Sequence, residues 1–349
     1  MKPLARLLWS HNFEGVKLMS AELRRFFVTT LAAVLSIGIQ TTVADEGRNL
    51  PRIGLAVPVS AVADVPYNTA LRQGLREHGY VDGENIILIA RYANGDPMKY
   101  PEIIQELIAL DVDILFGEAA ALKAATTTIP IVSATMDDPV KTGLVSSLAR
   151  PGGNVTGLSA QAFDIWPKHL ELARELLPNL KHLCVLLHMD QYAIGAGPEE
   201  STYEEDFESL ARSVGVKVSA FPASSFEDLE AALTNIRKRC SEALIVRTSP
   251  LMLQYRDTVL DAVTHQLPVI SDGKFSAEAG TLLSYSADYR DMFRRSAEYM
   301  AKILNGAKPG DLPIQQPRKF KVTVNLKIAS ELGVAIPESI MVRADDIVQ

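Results

Sequence analysis

The chain has 349 residues, of which 47% are hydrophobic and 22% charged, with a net charge of −7. That is enough chain for two domains of ordinary size, and the balance excludes a disordered or fibrous protein. Beyond residue 44 the acidic excess grows to 30 basic against 40 acidic residues. A surface of that sign repels phosphate backbones, so nucleic acid is not an expected partner.

The first 44 residues read as a cleavable signal peptide. Arg24-Arg25 make a basic start, Phe26 to Ile39 carries no charge, and Thr42-Val43-Ala44 places small residues before Asp45. Residues ahead of Met19 are out of place before such a signal, which makes Met19 a candidate start. The apolar run is short for a membrane span; the competing reading is an N-terminal amphipathic helix. Export places the mature chain in an oxidising compartment. Its two cysteines are Cys184, within the apolar run HLCVLLH, and Cys240, at a predicted helix end. They are expected to be buried small residues rather than a disulfide, and neither has metal-ligand spacing.

From Pro51 onward short strands alternate with helices. Strands are predicted at 53–57, 85–92, 113–116, 129–134, 183–187, 217–221, 243–246, 268–271 and 282–285. Helical patterns fall at 68–78, 101–109, 167–177, 203–214, 226–239, 251–265 and 289–304. Alternation of this kind specifies an α/β fold with parallel sheets covered on both faces. The units before residue 135 and those between 165 and 271 look like two copies of one architecture. After Pro309, Pro313 and Pro317 come a last strand, 321–325, and a short helix, 326–332. Two similar lobes joined by several passages form a cleft that can open and close.

The segment from Ile129 to Ser159 is the most informative. A buried strand ends in Asp137-Asp138-Pro139, and a Pro151-Gly152-Gly153-Asn154 turn leads to a second short run, Val155 to Ser159. It reads as a connection between lobes, lying where open α/β sheets bind ligands.

Signatures of catalysis are missing. No nucleophile elbow, P-loop or zinc-spaced His pair occurs. Gly195-Ala196-Gly197 begins like a dinucleotide fingerprint, but position 200 is Glu. Asp138 ahead of Pro139 reads as a cap rather than as half of an acid–base pair. What remains is a ring of polar residues after successive strands. Ser60, Glu118, Asp138, Ser159, Tyr192, Thr248 and Asp272 are the candidate ligand contacts, with Asp137, Asp190, Arg247 and Ser249 beside them. Such a ring suits binding of a small polar or zwitterionic molecule; for each residue taken alone, helix capping is the competing role. No enzyme activity, cofactor or metal is expected.

The chain resembles the periplasmic substrate-binding proteins of bacterial ABC transporters, of the tryptophan/tyrosine type. The resemblance spans Arg52 to Ile347 and is carried by long motifs. They include Gln73-Gly74-Leu75-Arg76-Glu77-His78-Gly79-Tyr80, Ser147-Leu148-Ala149-Arg150-Pro151-Gly152-Gly153-Asn154, Thr156-Gly157-Leu158-Ser159 and Lys302-Ile303-Leu304-Asn305-Gly306. It implies a type I periplasmic binding protein: two flavodoxin-like, doubly wound lobes joined by a three-crossing hinge, with ligand in the cleft. One lobe would be 51–157 plus 279–310, the other 158–278 plus 311–349, crossing near 157, 278 and 311. The implied role is that of a monomeric periplasmic protein delivering an amino acid or related solute, aromatic in some members, to a membrane permease. A ligand-sensing subunit for a membrane receptor or kinase is the alternative. Two departures bear on the ligand. Gly117-Glu118-Ala119 stands where relatives often carry a Gly-Thr-Pro-like loop, and Ser284-Tyr285-Ser286 has Ser where Gly is common.

Overall fold

A computed structural model describes residues 50–96, 98–160, 165–188, 200–264, 266–272 and 280–349. The expected signal peptide, Asp190, Tyr192, the 195–197 glycine segment and the crossing near 278 lie outside these residues.

Among the described residues the strands form two sheets. The first contains β1 (Arg52–Val57), β2 (Ile87–Tyr92), β3 (Ile114–Phe116), β4 (Ile131–Met136) and β5 (Val155–Ser159), all parallel, in the order β2-β1-β3-β4-β5. The second contains β6 (His182–His188), β7 (Lys217–Ala223), β8 (Ala243–Val246), β9 (Val269–Ser271), β10 (Leu283–Ala287), β11 (Phe320–Asn325) and β12 (Asp346–Val348). Its order is β12-β11-β10-β9-β8-β6-β7. Within it β7-β6-β8-β9-β10 repeats the arrangement of the first sheet, and β11 is antiparallel to β10. Each lobe is thus a flavodoxin-like, doubly wound sheet with its switch point between the first and third strands.

Helices cover both faces. In the first lobe α1 (Ala61–Glu77) lies on one face and α2 (Lys99–Ala109) and α3 (Ala119–Ala125) on the other. In the second, α4 (Trp166–Leu176) and α5 (Glu200–Ser213) cover one face, with α6 (Phe226–Arg239), α7 (Pro250–Gln254) and α8 (Arg256–Val263) opposite. The strand period of two is visible in β6, where Leu183 and Val185 enter one core and Cys184 and Leu186 the other.

The chain passes from the first sheet to the second after β5, where α4 begins. It returns after β10, because α9 (Tyr289–Leu304) packs on α1, Met292 and Met300 sharing a core with Leu71 and Leu75. Gly74 on α1 lets the helices close: a Cβ there would lie 2.0 Å from the Arg294 carbonyl oxygen. The boundaries expected from the resemblance assigned residues 279–288 to the first lobe. Leu283–Ala287 instead hydrogen-bonds into the second sheet as β10, so the return lies at Asp288. The last passage runs beside the first: Ser159 N–H donates to Gln315 O at 2.9 Å and Thr156 Oγ1 to Leu312 O at 2.8 Å. Beyond β11, α10 (Leu326–Leu332) and α11 (Glu338–Arg343) complete the second lobe.

Three local expectations are corrected. Helix α1 starts at Ala61, ahead of Pro66, with Ser60 as its cap; proline in the second turn removes one backbone bond without ending the helix. The 251–265 pattern breaks at Tyr255 (φ −104, ψ 29), whose ring lies 4.4 Å from that of Phe226. The cysteines are not separate buried thiols. Cys184 of β6 and Cys240, which caps α6, form a disulfide with a Cα–Cα distance of 6.1 Å. Packing of α6 over β6 brings them together, and a separation of 56 residues gives no hint of it.

Candidate functional site

The loop after β4 of the first sheet meets the loop after β8 of the second, with Arg247 Nη2 3.3 Å from Asp137 Oδ2, so the carboxyl ends of the two sheets face one cleft. Its first-lobe wall holds a small open pocket at the ends of β1, β3 and β4. This is the switch point of the first sheet, where doubly wound folds bind ligands. Two carboxyl groups and an aromatic surface line it: Asp64 from the first turn of α1, Glu118 ahead of α3, and Phe116 and Phe293.

Asp64 is only 5% exposed. It accepts a hydrogen bond from Asn68 Nδ2 at 3.3 Å, and Asn68 Oδ1 accepts from Arg72 Nε at 2.7 Å. Burial, and then the charge of Asp64, push the Tyr92 phenol up. Glu118 is held through its backbone. Its N–H donates to the Tyr100 hydroxyl at 3.0 Å, which donates to Ala56 O at 3.1 Å. Neighbouring Gly117 is required by this packing, since a Cβ there would lie 2.6 Å from Ala56 O. The Glu118 carboxylate does not cap α3. Phe293 meets Phe116 edge-on at 5.4 Å and Tyr67 at 5.2 Å.

On the second lobe, Thr248 N–H donates to Asp272 Oδ1 at 2.6 Å, and its hydroxyl donates to Asp272 O. These contacts tie the end of β8 to the end of β9. His169 on α4 lies behind them, a ring nitrogen 2.8 Å from Tyr285 O. Burial pushes the His169 pKa down against the opposing pull of Asp272. At the second passage Tyr289 stands among the charges of Asp272, Asp137 and Arg247. Burial and the two carboxylates raise its phenol pKa well above its usual value.

The other expected contacts have defined surroundings. Ser60 Oγ accepts from Ala63 N–H at 3.4 Å, and Asp138 Oδ1 accepts from Lys141 N–H at 3.0 Å. Ser159 is buried and donates to Asp137 O at 2.6 Å. The structure thus brings Glu118 into the pocket, joins Thr248 to Asp272, and gives Ser60 and Asp138 capping bonds. Sequence reasoning missed Asp64, Phe116 and Phe293. Asp64 follows β1 by one helical turn, and that spacing was the available signal. Among the described residues no cluster of three or more His, Cys, Asp or Glu could hold a metal ion. No helix among them is long and apolar enough to cross a membrane.

Two flavodoxin-like lobes joined by three passages, with a lined pocket at a switch point, define a type I periplasmic binding fold. The chain belongs to the ABC transporter substrate binding protein family, whose model matches residues 52–348. It is 25% identical over 259 residues to a tyrosine-binding protein of Clostridioides difficile, 72% of each chain being covered. A Streptococcus pneumonia ABC domain solved in complex with L-Trp matches with 27% identity and a TM-score of 0.76. A conserved domain protein of Vibrio cholerae matches with the same identity and score. Each of these two covers 86% of this chain and 100% of its own.

Proposed function

We propose that the protein is exported and captures a small aromatic molecule bearing an ammonium group, an aromatic amino acid being the leading case, for delivery to an ABC importer permease. The observation that carries this reading is the pairing of Asp64 and Glu118 with the rings of Phe116 and Phe293 in one pocket wall, Tyr67 packing on Phe293 beside it. The carboxylates suit a cation and the rings suit a flat apolar body. Opposing lobes close over the solute, so binding selects the closed arrangement. The tyrosine-binding relative and the L-Trp complex support the same ligand class. Export is supported by the charge-free stretch after Arg25 and by the Cys184–Cys240 disulfide, which persists in an oxidising compartment.

Thermal-shift and calorimetric titration of the purified protein with L-tryptophan, L-tyrosine and L-phenylalanine test the reading. Indole-3-acetate serves as the aromatic acid without an ammonium. An amino acid at a hundred times its Kd adds about 2.7 kcal/mol of stability, whereas indole-3-acetate leaves melting unchanged. Stabilisation by the ammonium-free acid alone would remove the role given to the carboxylates.

A further inference from the structure

The loops after β4 and β8 meet across the cleft. Arg247 Nη2 lies 3.3 Å from Asp137 Oδ2, with 18% and 38% of the two side chains exposed. Each partner is fixed to its own lobe. The Asp137 carbonyl accepts from Ser159 Oγ on β5 at 2.6 Å. Arg247 N–H donates to Leu186 O on β6 at 3.0 Å, and the next residue, Thr248, is bound to Asp272 through both its N–H and its hydroxyl. Preorganised in this way, the pair loses little backbone freedom when it forms. Other residues of the two lobes meet close by. Leu253 packs against the cores of both, and a Cβ at Gly95 would come within 2.5 Å of Gln254 Cβ.

We propose that the Asp137–Arg247 ion pair is an interlobe latch, which favours the closed arrangement directly and without a solute bridging the lobes. It rests on the cleft reading above but not on any ligand identity. The two side chains touch each other, so closing the cleft forms the pair and opening it breaks the pair. A partly exposed pair of this kind shifts the ratio of closed to open molecules by roughly fivefold. Salt weakens it.

Small-angle X-ray scattering of the purified full chain, stripped of solute by unfolding and refolding, tests the latch. Asp137→Asn and Arg247→Met are each expected to scatter as more open particles than wild type. The exchanged pair Asp137→Arg with Arg247→Asp is expected to return the wild-type profile. About 1 M salt is expected to expand wild type toward the single variants. Identical profiles for wild type and both single variants overturn the proposal, as does an exchanged pair that folds yet stays open. Should circular dichroism show Arg247→Met or the exchange to be misfolded, Asp137→Asn, which keeps the shape of the side chain, decides alone. No arm contains a ligand. Failure of the latch therefore leaves solute capture intact, and failure of every solute to bind leaves the latch intact.

Discussion

Gly157 lies against Ser133 so closely that a Cβ on Gly157 would be 1.9 Å from the Ser133 carbonyl oxygen. The contact sits where the β4–β5 register shifts between Ser133 and Met136, just before the chain leaves the first lobe. Gly157 also has φ +133, a backbone conformation side chains rarely adopt. Two independent constraints thus select glycine at the first passage.

Gly157→Ala is expected to cost at least about 2 kcal/mol, because neither the φ angle nor a neighbouring backbone carbonyl yields cheaply. Gly79→Ala is the control: its φ is +83, but nothing lies within 4 Å of the added Cβ. Only backbone strain of about 1 kcal/mol applies there. Urea unfolding of the two variants separates the effects. Equal losses would show that close approach to Ser133 is not what selects glycine at 157.

The Cys184–Cys240 disulfide closes a loop with a sequence separation of 56. In the chain-entropy account, a loop of that size contributes about 4 kcal/mol by restricting the unfolded chain. Replacing both cysteines with serine, or unfolding under reductant, is expected to lower the midpoint of the second lobe. Limited proteolysis followed by mass spectrometry locates the change. Free thiols at both positions in non-reduced protein, or an unchanged midpoint after double replacement, would remove the bridge from the stability account.

The two pocket carboxylates are not equivalent. Asp64 is buried and already accepts from Asn68, whereas Glu118 is partly exposed. Charge-assisted bonds gain from exclusion of water. Asp64→Asn is therefore expected to weaken L-tryptophan or L-tyrosine binding by about 10- to 100-fold, and Glu118→Gln by several-fold at most. Calorimetry on both variants gives the ranking. A greater loss at Glu118 would move the ammonium contact to the α3 side of the pocket.

Much of the fold was legible because strand and helix periods alternate cleanly. The limits of β8 and α6 match their patterns residue for residue, since capping chemistry at Ser225 agrees with the apolar period. The misses have physical causes. Pro66 reads as a helix breaker locally, yet it lies in the second turn of a helix that Ser60 caps and that begins at Ala61. The resemblance put β10 in the first lobe, and local composition holds no trace of the long-range pairing with β9 and β11 that places it in the second sheet. The site divides the same way. A rule of polar residues directly after strands reaches Glu118, which lines the pocket, but it passes over Asp64, one helical turn further on. Phe116 and Phe293, from β3 and α9, become one surface only once α9 returns to the first lobe.

His169 gives a pH signature. It is 3% exposed, and burial holds its pKa below the ordinary 6.5 despite the nearby Asp272 carboxylate and the carbonyl groups of Ser271 and Tyr285. The unfolded chain then binds this proton more readily than the folded one. Stability falls as pH drops through about 6.5 and continues to fall until the folded pKa is reached. At higher pH the residue is neutral in both states and contributes no slope. His169→Gln, which keeps a donor toward Tyr285 O, is expected to be somewhat less stable than wild type at pH 7.5 and to lose less between pH 7 and pH 5. Urea unfolding across that range measures the slopes. A variant that declines as steeply as wild type would show that His169 does not set the acid sensitivity.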